Sequence, residues 1–290
     1  MKKDTTNASE PSALRRTMRE VRKFYRIQTG QMRALPDFIV IGGQKCGSTS
    51  LYKYLVEHTN IAPASTKGAS YFAHNFAKGQ AWYRSHFPTY LSKYVGQLYK
   101  GKIMAGESSP YYIYYPLAPQ RISQILPHVK LIALLRNPVD RAYSHYNHEV
   151  RNGDETLSFK EALEKEPERL QGEVEKIVKD VNYYAYNHRH FSYLARGRYI
   201  DQLEAWTSYF PKERILVLTS EDFFKDTPSV LKKITEFLNL PPAWELNEFK
   251  KYNKHPYSKM DPSMRAYLGD YFRPHNQRLY EFLGMDLGWD

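Results

Sequence analysis

The chain has 290 residues, 42% hydrophobic and 25% charged, the composition of an ordinary globular protein with material for a sizeable core, which excludes a disordered or low-complexity chain. Lys and Arg number 42 against 31 Asp and Glu, a formal net charge of +11, so an anionic partner is expected: nucleotide, acidic polymer, nucleic acid or membrane surface. One cysteine excludes an intrachain disulfide framework and a cysteine-based zinc site, and the mostly apolar stretches 38–41 and 129–135 are far too short to span a membrane.

Residues 1–36 read as a basic extension, separate from a domain over 37–290. Leu14, Met18, Val21 and Tyr25 recur at helical spacing, with Arg15, Arg16, Arg19, Arg22, Lys23 and Arg26 around them. Such a helix could lie on anionic lipid, giving a peripheral membrane contact. The plainer expectation is an extension that packs on the domain or stays mobile, and the short apolar face favours it. The charged N-terminus has no apolar run of the kind a signal peptide needs, so a cytoplasmic location is expected, with peripheral attachment to the inner face of a membrane as a variant.

Residues 38–41 form a continuous β-branched and aromatic run ending in Gly42 and Gly43, the pattern of a buried parallel strand. Further strands are expected at 103–105, 130–135 and 214–218. Helices are expected at 49–57, 116–126, 139–150, 199–210, 228–238 and 262–283. Strands alternating with helices predict an α/β fold with a parallel sheet covered on both faces. The charge-dense stretch 164–180 reads as a solvated helix or lid-like insertion.

Between the first strand and the first helix of that series runs Gly42-Gly43-Gln44-Lys45-Cys46-Gly47-Ser48-Thr49-Ser50. Glycines let the backbone bend around an anion, and the following helix start presents N–H groups to it. Gly42, Gly47 and Thr49 match the Walker A spacing, but Ser48 stands where its lysine belongs, and the lysine is Lys45. Cys46 reads as a small loop filler rather than a nucleophile. A second segment, Arg136-Asn137-Pro138 through Ser144, places an arginine at the carboxyl end of a strand and a hydroxyl two turns into the next helix.

This pair of segments resembles the donor-binding signature of sulfotransferases that use 3′-phosphoadenosine 5′-phosphosulfate (PAPS), most closely the heparan sulfate branch and its bacterial soluble relatives. Trp82-Tyr83, Gly106-Glu107-Ser108-Ser109-Pro110 and Arg196-Gly197-Arg198-Tyr199 add to the resemblance. It implies a P-loop-like three-layer fold with a central parallel sheet of about five strands. It also implies a PAPS-dependent sulfotransferase acting on a hydroxyl or amine of a carbohydrate, glycolipid or small metabolite, without a metal. The donor contacts implied are Gly43, Gln44, Lys45, Cys46, Gly47, Ser48, Thr49 and Ser50 for the 5′-phosphosulfate, Arg136 and Ser144 for the 3′-phosphate, with Tyr199, Lys254 and His255 nearby. Lys67 and Tyr71 fall where the branch meets its acceptor.

The chain departs from the branch at one point. Lys67 is followed by Gly68 where the branch carries the glutamate that takes the acceptor's proton, and glycine cannot accept one. Glu107 and His148 (or His145) are the candidate replacements, beside Lys45 on the bridging oxygen. A donor-binding module without turnover, and a P-loop kinase, are the alternatives. No nucleic-acid recognition module is visible.

Overall fold

The computed structural model describes residues 13–242 and 257–289, with side chains from residue 17 onward. Five parallel strands, β1 (Phe38–Gly42), β2 (Ile61–Pro63), β3 (Met104–Ser108), β4 (Lys130–Leu135) and β5 (Ile215–Thr219), form one sheet in the order β2-β3-β1-β4-β5. β1 is buried along its whole length because both sheet faces are covered, which is why its sequence is apolar without alternation. Aromatic residues dominate the core on one face, where Phe72, Tyr83, Tyr112 and Trp206 are fully buried, and aliphatic side chains from β1, β4 and the helices beside them fill the other.

The helices, in chain order, are α1 (Ala13–Gln28), α2 (Ser48–Glu57), α3 (Gly79–Arg84), α4 (Tyr90–Lys100), α5 (Ala118–Ile125), α6 (Pro138–Asn152), α7 (Phe159–Leu170), α8 (Glu173–Lys179), α9 (Tyr186–His190), α10 (Tyr199–Thr207), α11 (Ser220–Lys225), α12 (Thr227–Leu238) and α13 (Pro262–Leu283). α6 begins where Asn137 accepts from the Val139 N–H at 3.0 Å and Pro138 supplies a pre-set φ, and it stops at Gly153 in the left-handed conformation. α7 opens on a reciprocal capping box between Ser158 and Glu161.

The expected strands and helices are present, with shifted ends. β3 runs on to Ser108, so Glu107 lies inside a strand. The charge-dense stretch is two helices, α7 and α8, and the elements β2, α3, α4, α9 and α11 were not foreseen. α1 is helical as its spacing predicts, but Met18, Val21 and Tyr25 remain exposed. Its last turn is tied to the body: Arg26 donates to the Ser85 carbonyl at 2.6 Å and the Phe87 carbonyl at 3.2 Å.

Candidate active site

The carboxyl ends of β1 and β4 lie side by side, so the loops that follow them share one space. The first turns from Gly42 into α2. Lys45 and Gly47 both take positive φ, 69° and 94°. Gly47 suits this conformation, and a Cβ there would also meet the Phe224 ring at 2.9 Å. Gly47 gives α2 no side-chain cap, so the first-turn N–H groups stay available to an anion. Cys46 is buried beneath the loop, and burial pushes its thiol up to about 11, which removes it as a nucleophile.

The Lys45 ammonium is a poorly solvated cation. Burial lowers its affinity for a proton, Arg151 and Arg136 add like-charge repulsion, and Glu149 opposes them. An arriving anion would relieve all three costs. Arg136 leaves the end of β4 and donates to the Lys45 carbonyl at 3.3 Å, which fixes the second loop to the first. Tyr199 holds the same junction from behind. Its buried hydroxyl donates to the Arg136 carbonyl at 2.9 Å and lies 3.8 Å from Cys46 Sγ. Ser144 is nearly buried on α6, and Tyr257 lies beside Arg136. Lys254 and His255 lie outside the described residues.

On the other side, Lys67 Nζ donates to Thr49 Oγ1 at 2.6 Å, and burial brings this amine down to about 8. Gly68 follows it. A Cβ at this position would fall 2.4 Å from the Ser108 carbonyl and 3.0 Å from Ser109 Oγ, so the end of β3 leaves no room for a side chain. Tyr71 belongs to the core rather than to an open wall: it is 3% exposed and stacks on Tyr83 with centroids 4.5 Å apart.

Glu107 is completely buried. Its carboxylate accepts from Tyr83 (2.7 Å), Tyr112 (3.2 Å), Ser109 (2.9 Å) and the Ala69 N–H (2.9 Å). Burial pushes the carboxyl up, and these four donors pull it back. All of its lone pairs point at protein groups. Arg151 Nη2 lies 2.8 Å from His148 Nδ1 and Asn152 Nδ2 lies 3.4 Å from its Nε2, so both ring nitrogens face protein donors. Burial and then Lys45 hold its charged form down. His145 is fully buried, with Nε2 3.2 Å from Glu149 Oε1.

The sequence reading missed the pair formed by Glu149 and His190, whose Nδ1 and Oε2 are 2.8 Å apart. Glu149 on α6 and His190 at the end of α9 are 41 residues apart, and only the packing of α9 brings them together. The His145/Glu149 spacing of one helical turn was the sole local signal.

A family model described as the sulfotransferase domain matches residues 35–271. The membrane-associated sulfotransferase kil1 of Dictyostelium discoideum is 29% identical, the alignment covering 90% of this chain and 68% of that protein. The bifunctional heparan sulfate N-deacetylase/N-sulfotransferase 3 of Homo sapiens is 28% identical over 86% of this chain, which spans only 30% of that protein. Among solved structures, a sulfotransferase from Alicyclobacillus acidocaldarius matches with a TM-score of 0.65 and 30% identity, covering 88% of this chain and 99% of that one.

These relatives overturn the expected cytoplasmic location, since one of them is described as membrane-associated. A lone cysteine can form no intrachain disulfide in any compartment, so its count carried no information about place. Among the described residues no helix is long and apolar enough to cross a membrane.

Proposed function

Since the chain belongs to the sulfotransferase family, we propose that it moves a sulfuryl group from PAPS to a hydroxyl or amine of an anionic carbohydrate. The observation that carries this is Lys45 on the left-handed crest of the 42–47 loop, joined to Arg136 through its own carbonyl. Two cationic side chains on adjoining loops suit a donor with phosphate at both the 3′ and 5′ positions. In this reading the 43–50 loop holds the 5′-phosphosulfate through its outward N–H groups, those of Gly43 and Cys46 being turned to the Leu134 and Gly43 carbonyls, and Lys45 neutralises the charge that grows on the bridging oxygen. Arg136 and Ser144 take the 3′-phosphate, with Lys254 and His255 as further partners. Tyr199 acts through the Arg136 backbone. Lys67 sits on the acceptor side, where its charge helps hold the sulfate.

An anionic glycan fits the net charge of +11 and the heparan sulfate enzymes among the relatives. A membrane surface is the second partner proposed. Exposed Met18, Val21 and Tyr25 on α1 accompany exposed Arg19, Arg22 and Lys23, the composition of a helix that lies on anionic lipid. Vesicles containing phosphatidylserine should then sediment the protein and neutral vesicles should not.

Gly68 and the saturated Glu107 favour one competing reading, a module that binds the donor without transfer. Calorimetry with adenosine 3′,5′-bisphosphate, without magnesium, combined with [35S]PAPS and N-desulfated heparan sulfate, separates the two. The enzyme reading expects tight binding, labelled glycan, and a Lys45→Ala variant that loses on the order of 100-fold in turnover with a smaller loss of donor affinity. Binding without label across an acceptor panel would leave the module. Binding of ATP with magnesium, and none of the bisphosphate, would indicate a kinase.

A further inference from the structure

We infer that His190, held by Glu149, is the general base that takes the acceptor's proton. This deepens the sulfotransferase reading and rests on it. In-line transfer to a hydroxyl or amine requires a proton acceptor, and position 68 has no room for one. Glu107 and His148 have their lone pairs engaged by protein donors. Three of the other described histidines are engaged or enclosed: His188 is buried and paired with Tyr111 at 2.7 Å, His145 is fully buried, and His58 bonds the Pro241 carbonyl at 2.9 Å.

His190 differs in its tautomer. Glu149 remains ionised: burial pushes its carboxyl up, but the imidazoles of His145 and His190 hold it far below the usual range. An ionised carboxylate only accepts, so His190 Nδ1 must donate to it at 2.8 Å, and Nε2 keeps its lone pair. That lone pair faces the Tyr184 hydroxyl at 3.5 Å, on a partly exposed side of the ring. Tyr186 stacks on the ring at 4.4 Å and fixes its plane. Asp154 Oδ2, 3.8 Å from Nδ1, is a second carboxylate that favours an imidazolium once formed. One polar atom each of Glu149, Asp154 and His190 lies within 4.8 Å of the others.

Glu149 is within electrostatic reach of Lys45 on the donor loop. Glu149 and Arg151 act on the Lys45 charge, and His148 feels both Lys45 and His190. The charged groups around His190 are Glu149, His145, His148 and Arg151 from α6, Asp154 after it, and Arg189 on α9. From α7, Arg169 is paired with Glu155, and from α8, Glu173 is paired with Lys176 and Tyr183.

In the step, the acceptor oxygen or nitrogen forms a bond to sulfur as the bond from sulfur to the bridging oxygen breaks. The electron pair stays on the 5′-phosphate of the departing bisphosphate, and the acceptor's proton passes to His190 Nε2. Glu149 is a positioning residue, setting the tautomer and stabilising the imidazolium.

The test uses the full chain with [35S]PAPS and N-desulfated heparan sulfate, across pH 5 to 9. His190→Gln should lose about 100- to 10,000-fold in kcat, abolish the acidic limb of the pH–rate profile, and leave bisphosphate affinity within about twofold. Glu149→Gln should lower kcat and move the acidic limb to lower pH, because the imidazolium loses its counter-charge. Long-range 15N–1H NMR of the wild type should show His190 protonated at Nδ1 and free at Nε2, a readout that does not depend on transfer or on a variant's folding. An Nε2-protonated ring, an acidic limb that survives His190→Gln, or a limb lost only in His148→Gln would sink the dyad while sparing the sulfotransferase reading. A wild type that neither binds the bisphosphate nor transfers label removes that reading, and the dyad with it.

Discussion

Lys67 Nζ lies 2.6 Å from Thr49 Oγ1, which ties the segment after β2 to the first turn of α2, on the far side of the donor loop from Arg136. The contact orders a lysine that burial has brought down to about 8, close to working pH. Lys67 can therefore report the arrival of an anion by its protonation.

An anion bound beside this amine favours the ammonium. At pH 8, bisphosphate binding should take up protons, detectable as a dependence of the calorimetric enthalpy on the buffer's own ionisation heat. Affinity should fall as pH rises through about 8, since the free amine then dominates before binding. Lys67→Met should bind more weakly and lose both effects. Equal enthalpies in phosphate and Tris for the wild type would contradict this.

Arg136 offers a planar fork and Lys does not. Arg136→Lys should weaken bisphosphate binding about 10- to 100-fold, the equivalent of the ~1.5–3 kcal/mol of a charge-assisted hydrogen bond. Adenosine 5′-phosphosulfate, which lacks the 3′-phosphate, should bind both proteins alike. A parallel loss for both ligands would place Arg136 on the 5′ side instead.

Position 68 gives a rescue experiment with a negative expectation. Gly68→Glu restores the family's carboxylate on paper, but its Cβ meets the Ser108 carbonyl at 2.4 Å. Thermal stability should drop and turnover should not rise. Glu107→Ala should also act on stability first, because it strands buried donors from Tyr83, Tyr112 and Ala69 at about 1–3 kcal/mol each. Urea denaturation distinguishes this from a catalytic loss with unchanged stability.

Acid should unfold the protein early. Burial holds His188 down at about 3 and His145 well below its ordinary value, with Arg196 adding to the shift in each. Both are neutral in the fold, while the unfolded chain protonates them near pH 6.5. Below that pH the unfolded state binds more protons, so stability is present above pH 6.5 and is lost as pH falls, by up to about 1.4 kcal/mol per pH unit for one such histidine. Glu149, depressed in the fold, adds loss in the same direction below its unfolded value. A Tm that stays flat from pH 7.5 to 5 would count against this, and His188→Asn should shallow the slope.

Local physics made much of this protein legible from sequence. The run 38–41 could only be a strand buried on both faces, the glycines at 42, 43 and 47 could only be a tight turn, and an arginine at the end of β4 follows from the apolar run before it. These are short-range features, and backbone sterics and hydrophobic periodicity decide them within a dozen residues. The short elements β2 and α9 left no such pattern, since their three and five residues span little more than one period, too few for a repeat to show.

What the tertiary structure decided was which polar groups remain free. In sequence, Glu107 and His148 looked like bases because their residue types can be. The fold surrounds Glu107 with Tyr83, Tyr112, Ser109 and the Ala69 N–H. It puts Ser108 where a side chain at Gly68 would go, and carries His190 across 41 residues to Glu149. Proton chemistry depends on unshared lone pairs at distances near 3 Å. Such distances arise between elements that meet only when the chain is packed, so residue type alone could name the donor loop but not the base.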